Sequence, residues 1–364
     1  MSWFWVFVGF CLLIVLHEAG HFFAAKATGM RVERFFLFFG PTIWSVKRGE
    51  TEYGVKAIPL GGYVKITGMN PEEDVPPEVA HRSYHRQKVW KRIVVVAAGP
   101  AVNIVLAFAI LFGVYWVNGH EQIDQSVGEV RQGSPAAKVL KPGDQIVAVD
   151  GNRYPGLDTE ERLIRFGKVV GSHECKGKQV DGCAAAAPVE LQVRRDGELM
   201  TISVRPRYDA KAKRALVGFS YGGERIEVGP GTAAKEAGDA IWEVATGTVH
   251  VFTHLFEAEE RKQVSGVVGI SDVGHQVIEK GLERALLLLA LVSLSLGLVN
   301  LLPILPLDGG HIFWAVVEKL RGRPVSLRVM ERATMVGIAI VLMFFFLGLS
   351  NDIGRITGEG FEVR

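Results

Sequence analysis

The run Leu12-Leu-Ile-Val-Leu-His-Glu-Ala-Gly-His21 buries three ionisable side chains, His17, Glu18 and His21, in a stretch that is otherwise apolar. The apolar run around them, from about Trp3 to Ala27, is long enough to cross a bilayer. An ionisable group there costs about 3 kcal/mol or more unless it is paired or solvated. Residues four apart on a helix project from one face, one turn apart. His17 and His21 are therefore spaced to bind one Zn²⁺, with Glu18 beside them as a general base. The competing reading, a polar cluster that packs helices, gives no reason for three such groups in one turn and a half.

The remaining spans follow from hydropathy. A second is expected from about Ile93 to Val117, with Gly99, Pro100 and Asn103 marking close packing and a polar contact. A third runs from about Ala285 to Leu302 and a fourth from about Ala333 to Leu349. The first span lacks a basic leader and a small-residue cleavage pattern, so it is expected to be retained. A net charge of +2 argues for neither nucleic acid nor an acidic partner.

Between the first two spans, Thr42 to Lys56 reads as a β-hairpin turning at Arg48-Gly49-Glu50, and Pro59 to Ile66 as a further short strand. Aromatic strands this close to a membrane helix enter the bilayer only when buried against protein or lining a wet cavity. From about Gln122 to Pro206 the chain reads as a small α+β domain. It has a capped helix start at Ser134, a helix from Thr159 to about Val170, and a hairpin across Asp196-Gly197. The run SPAAKVLKPGDQIVAVDG (Ser134 to Gly151) resembles the signature of a PDZ domain. An amphipathic helix is expected from Asp239 to about Glu260, lying along the interface, then a Gly-rich strand or turn from Val264 to Ile270.

The organisation expected is a polytopic α-helical membrane protein with four transmembrane helices, a membrane-associated β-hairpin region and an inserted α+β PDZ-like domain. Its parts are 1–120 (two helices and the hairpin), 121–207 (PDZ-like domain), 208–280 (linker with the interfacial helix) and 281–364 (the last two helices). Residues 26–92 carry 12 Lys/Arg and residues 1–25 none, which places the first loop in the cytoplasm. Both termini and the PDZ-like domain then lie outside, where Cys175 and Cys183 can form a disulfide. A zinc site of His173, Cys175 and Cys183 is the alternative for those thiols, without an evident fourth ligand.

A hydrolytic zinc site normally has three protein ligands and an open position. Asp308, where prolines and glycines break the third span, lies at a compatible depth. A simple turn at Asp308-Gly309-Gly310 and a rival ligand in His311 stay open. His81/His85 and His250/His254 share the four-residue spacing but read as surface or interfacial pairs. Asn103 and Asn300 either hold helices together or bind extended substrate backbone.

HEAGH in the first span, GPAVN (Gly99 to Asn103) in the second and NLLPILPLDGG (Asn300 to Gly310) after the third resemble the site-2 protease family of intramembrane zinc metalloproteases. With one PDZ-like domain between spans two and three, the order resembles the bacterial sigma-E regulator subgroup. FFGPTIW (Phe38 to Trp44), IPLGGYVK (Ile58 to Lys65) and SGVVGI (Ser265 to Ile270) fit the same subgroup. Many relatives of that type carry two tandem PDZ domains, and Val267 stands where a proline is usual.

The resemblance implies that Zn²⁺ is held by His17, His21 and Asp308, that Glu18 is the catalytic base, and that Asn300 and Pro303, with Asn103, contact substrate. It implies a membrane-reentrant β-structure from FFGP through YVKI, and a bacterial inner-membrane location with the active site toward the cytoplasm. The implied partner is a single-span membrane protein already trimmed by another protease, such as an anti-sigma factor or signal-peptide remnant. Its outer end would meet the PDZ-like domain. Two other classes compete: an inactive PDZ-containing scaffold, and an ion or metal transporter. A transporter would show an internal repeat, and none is seen.

Overall fold

Gly20 in the first helix and Gly99 in the second let two backbones meet where side chains would keep them apart. The computed structural model describes residues 2–70, 73–210, 212–254, 269, 277 and 281–357. The first helix, α1 (Ser2–Ala27), ends at Gly29, whose φ of 84° favours glycine. A Cβ on Gly20 would stand 2.5 Å from the Ala98 carbonyl oxygen of α2 (Val89–Asn118). The Lys91 Nζ donates to the Thr28 carbonyl at 2.9 Å, so the two helices run antiparallel.

The chain divides into two units, one of residues up to Tyr115 and from Pro230 onward, the other Trp116–Gly229. Among the described residues, four helices are long and apolar enough to cross a membrane: Phe4–Ala27, Val89–Asn118, Leu282–Asn300 and Leu327–Gly354. They match the four expected spans, with the second and fourth starting earlier than hydropathy alone suggests.

In the first unit, β1 (Val32–Arg48) and β2 (Thr51–Ile66) form one long bulged hairpin. The hairpin expected from Thr42 to Lys56 is present, with Arg48 opposite Thr51, and the expected strand at 59–66 forms the end of β2. Gly40 (φ 85°) and Gly61 (φ 72°) mark the bends at which the two strands fold back. Residues 34–37 pair on one side with 52–55 and on the other with 62–65. The 62–66 segment is therefore an edge.

The turn of that hairpin is pinned by Glu50, which accepts from Lys26 Nζ at 2.5 Å and from Arg82 NH1 at 2.7 Å. Arg82 and then Lys26 hold the Glu50 carboxyl down at about 2 instead of its ordinary 4.5. A carboxyl depressed in the folded state contributes stability above its unfolded value and loses it as pH falls through the folded one. Glu50→Gln should lower the thermal unfolding temperature at pH 7 by a few degrees, an effect of about 1 kcal/mol. Unfolding scans from pH 7 to 2 check this: the gap between variant and wild type should close from pH 4.5 downward.

Four more helices follow among the described residues of this unit. Helix α4 (Pro230–Thr253) starts nine residues before the expected Asp239, with Pro230 suited to a first helical position. It buries Ala233 and Ala237, and packs Ala237, Ile241 and Val244 against α2 and α5 (Leu282–Asn300). Small residues permit that close approach. Beyond a turn, α6 (Asp308–Arg321) precedes α7 (Leu327–Thr357). The expected strand or turn at Val264 to Ile270, and the end of the amphipathic helix past His254, lie outside the described residues, apart from Gly269.

The second unit is a five-stranded sheet in the order β6-β5-β4-β3-β9. Its strands are β3 (His120–Val130), β4 (Gln145–Val149), β5 (Val189–Arg195), β6 (Glu198–Val204) and β9 (Phe219–Ile226). Helix α3 (Thr159–Gly171) is capped by Asp158, which accepts from the Glu161 N–H at 2.8 Å. Val127, Ile146, Phe166, Leu191 and Val193 fill the core. Between β6 and β9 lies a small hairpin, β7 (Arg207–Asp209) with β8 (Arg214–Leu216).

Three expectations change here. The unit extends to Gly229 instead of stopping at 207, because β9 pairs with β3 and Val217 is buried in the core. Glycines at 218, 222 and 223 interrupt the alternation that would have marked that strand. The helix start at Ser134 is a single 3₁₀ turn, Ala136–Lys138, with the Ala137 N–H donating to Ser134 Oγ at 3.3 Å. Cys175 and Cys183 are joined in a disulfide, so a zinc site using those thiols is absent. His173 Nε2 instead lies 3.3 Å from Asp150 Oδ2.

Candidate metal centre

Helix α1 presents His17 and His21 one turn apart, and α6 delivers Asp308 at its first position. The two imidazole Nε2 atoms lie 3.3 Å from each other and each 3.3 Å from Asp308 Oδ2. Three donors bonded tetrahedrally to one ion at about 2.0–2.1 Å would be separated by about 3.3 Å. The equilateral spacing is therefore that of a zinc donor set. Asp308 Oδ2 is also buried without a hydrogen bond that would otherwise occupy it.

Each donor is aimed by its surroundings. His21 Nδ1 meets the Val95 carbonyl oxygen at 2.9 Å, which keeps its proton on Nδ1 and leaves the Nε2 lone pair for a metal. A side chain at Gly99 would overlap the His21 ring, so that ring needs glycine opposite it. Side chains at Gly309 and Gly310 would overlap the Leu301 and Ile304-Leu305 backbone, so the first turn of α6 is seated on the preceding loop. Arg92, 4% exposed, donates from NH2 to Glu318 Oε1 at 2.7 Å and ties α2 to α6. The same stretch of α2 thus braces both halves of the site.

Glu18 lies beside the donor set and outside it. Its Cγ rests against Gly62, where a Cβ would stand 3.0 Å away, and the Val64 N–H is directed at its carboxylate. The base candidate therefore faces the 62–66 edge of the hairpin.

The other sequence candidates fall elsewhere. His311 lies outside the converging group and lines a cavity of roughly 600 Å³ with Tyr63, Lys65 and Glu73. Asp308 makes more than a turn, since it opens a helix. Asn300, half-buried, donates from Nδ2 to the Leu296 carbonyl at 3.0 Å, and Pro303 is exposed. Asn103 has no exposed surface, which departs from a direct contact with substrate. His85 Nε2 meets the Met69 carbonyl oxygen, and the His250 and His254 rings stack at 4.1 Å.

Residues the sequence reading passed over are Val95, Arg92, Glu318 and Gly62. Val95 and Gly62 act through backbone or absent atoms, which leave no compositional mark. A charged Arg92 at the start of an apolar span was the one available signal.

Two histidines from HExxH and a distant aspartate, converging within reach of one ion beside apolar spanning helices, have the arrangement of a membrane metallopeptidase site. The chain matches Peptidase family M50 over residues 5–344, and it belongs to that family, the site-2 proteases. It is 32% identical to zinc metalloprotease Rip1 of Mycolicibacterium smegmatis, over 93% of this chain and 94% of the relative. Rip1 of Mycobacterium bovis is 32% identical and that of Mycobacterium tuberculosis 31%, each over the same shares. The protein is a zinc-dependent membrane metalloprotease, and the scaffold and transporter readings give way.

Proposed function

We propose that the protein is an intramembrane endopeptidase that cuts single-span membrane proteins within the bilayer, with His17, His21 and Asp308 holding Zn²⁺. The observation that carries this is the convergence of three mutually 3.3 Å donors from α1, a helix long and apolar enough to span, and the first residue of α6. Zn²⁺ bound there supplies Lewis-acid polarisation and makes water a stronger acid near neutral pH.

The chain supplies the rest. Glu18 takes a proton from the attacking water onto its carboxylate, the water oxygen bonds to the peptide carbonyl carbon, and the C–N bond breaks as Glu18 returns that proton to the departing amine. A helical substrate must first unwind, since its carbonyls are bonded and shielded. The 62–66 edge of β2 receives the unwound segment as an added strand, its main-chain groups pairing in the manner of sheet extension. Asn300, at the end of α5, and Pro303, just beyond it, are the further candidates for substrate contact. Phe39, Ile43, Trp44 and Ile58 are all more than 40% exposed at the bulged part of the hairpin, which suits that part to hydrocarbon.

In this reading the protein is a multi-pass protein of a bacterial inner membrane, with the first loop cytoplasmic and the second unit outside. That unit is a PDZ-like domain that screens or binds the trimmed outer end of the substrate, an anti-sigma factor or signal-peptide remnant. The test is reconstitution in vesicles with a tagged single-span substrate, intact or lacking its outer domain. Cleavage of the trimmed form inside its apolar segment, mapped by mass spectrometry, is expected. Cuts confined to soluble loops would overturn the intramembrane assignment.

A further inference from the structure

His21 has its second ring nitrogen engaged by Val95, whereas His17 Nδ1 is buried without a hydrogen-bond partner among the described residues. Both ends of the Asn103 amide are in the same state, and Asn103 is 0% exposed. Metal-bound histidines as a rule donate their other N–H to a carbonyl, a carboxylate or water. A carboxamide buried among spanning helices without a partner is equally costly. Each residue lacks what the other has.

Helix register brings them to one level. Along the antiparallel α1 and α2, Thr28 meets Lys91, His21 meets Val95, and Gly20 meets Ala98 and Gly99. One turn further, four residues back from His21 and four on from Gly99, the facing residues are His17 and Asn103. Helix α5 closes the third side. Its Ser293 hydroxyl donates to the Asn103 carbonyl at 2.9 Å, and Gly297 faces Pro100 and the Asn103 Cβ. Gly9 of α1 abuts Leu289 of α5, so α5 lies beside α1 as well as α2. Gly297, lacking a side chain, lets α5 approach α2 closely beside Asn103.

We propose that Asn103 is a positioning residue for His17: its carboxamide oxygen accepts the His17 Nδ1–H through one buried water, fixing the ring with Nε2 toward the shared metal point. The inference rests on the His17–His21–Asp308 metal reading. It assigns Asn103 to the imidazole in place of the substrate backbone, in keeping with its lack of exposed surface.

The test measures Zn²⁺ affinity of the full-length protein in detergent by competition with a chelator. Asn103→Leu, of similar volume without an acceptor, should bind Zn²⁺ about 10- to 100-fold more weakly. Asn103→Ala carries the same expectation should the leucine variant not fold. Asn103→Asp, which keeps an acceptor, should bind at least as tightly as wild type. Ser293→Ala removes the neighbouring interhelical hydrogen bond and should leave Zn²⁺ affinity unchanged, which a purely structural role for this spot would not predict. A folded Asn103→Leu or Asn103→Ala protein with wild-type affinity would overturn the proposal, all the more if cleavage falls through KM alone. Wild type binding Zn²⁺ no better than His17→Ala/His21→Ala would instead overturn the metal reading itself, and this inference with it.

Discussion

Glu18→Gln should abolish measurable cleavage while the protein keeps its Zn²⁺. Glutamine preserves the length and shape that rest against Gly62, so α1 and the hairpin edge keep their spacing. It cannot take up a proton at the carboxylate position, and both the attack of water and the departure of the amine require that. A positioned general base contributes about 10²–10⁴-fold, and this one serves both halves of the reaction. A fall of at least about 10³-fold in kcat is expected, or about 4 kcal/mol in the barrier. Glu18 stands outside the three converging donors, so metal content should match wild type. Product formation from a tagged substrate, together with elemental analysis, checks both parts. Activity within tenfold of wild type would remove Glu18 from the chemistry.

Asp308→Ala should empty the site. Two histidines 3.3 Å apart remain, one donor short of what a hydrolytic zinc site holds. Zinc content should fall from one ion per chain to near zero after dialysis against a mild chelator, and cleavage should fall below detection. The cost to folding is small by comparison. Asp308 opens α6 as an acidic first residue, a favourable interaction of about 0.5 kcal/mol with the helix dipole. His311→Ala serves as the contrast, since that ring faces a separate cavity and its loss should leave zinc content unchanged. The reverse pattern, zinc lost with His311 and kept without Asp308, would exchange the two assignments.

The parts of the site legible in the sequence are those written as spacing. HEAGH on an apolar run states a helix, a face and a chemistry at once, and the structure places both imidazoles on that face. Asp308 was reachable because prolines and glycines break the third span beside it. The helix that carries Asp308 was hidden by the same residues: Pro306 and Gly309-Gly310 read as breakers. They allow the chain to turn and seat α6 on its own approach loop. The hairpin turn at Gly49 and the short strand beside Gly61 are legible too, because glycines there mark where the chain bends. Strand β9 went unread because three glycines cancel its alternation, and its place is set by pairing with β3 far earlier in the chain. Asn103 was visible as a polar residue in a span. Its burial depends on where two other helices lie, which local pattern does not encode.

On the proposed metal reading the donors come from distant parts of the chain, and His17 and His21 are translated long before Asp308. A growing polypeptide therefore carries two of the proposed donors before it has the third. Helix α6, which brings the missing carboxylate, is braced by Arg92 of α2, so it docks onto elements already inserted. On the proposed metal reading, a product truncated before Asp308 should bind no Zn²⁺ after dialysis against a mild chelator and should cleave nothing.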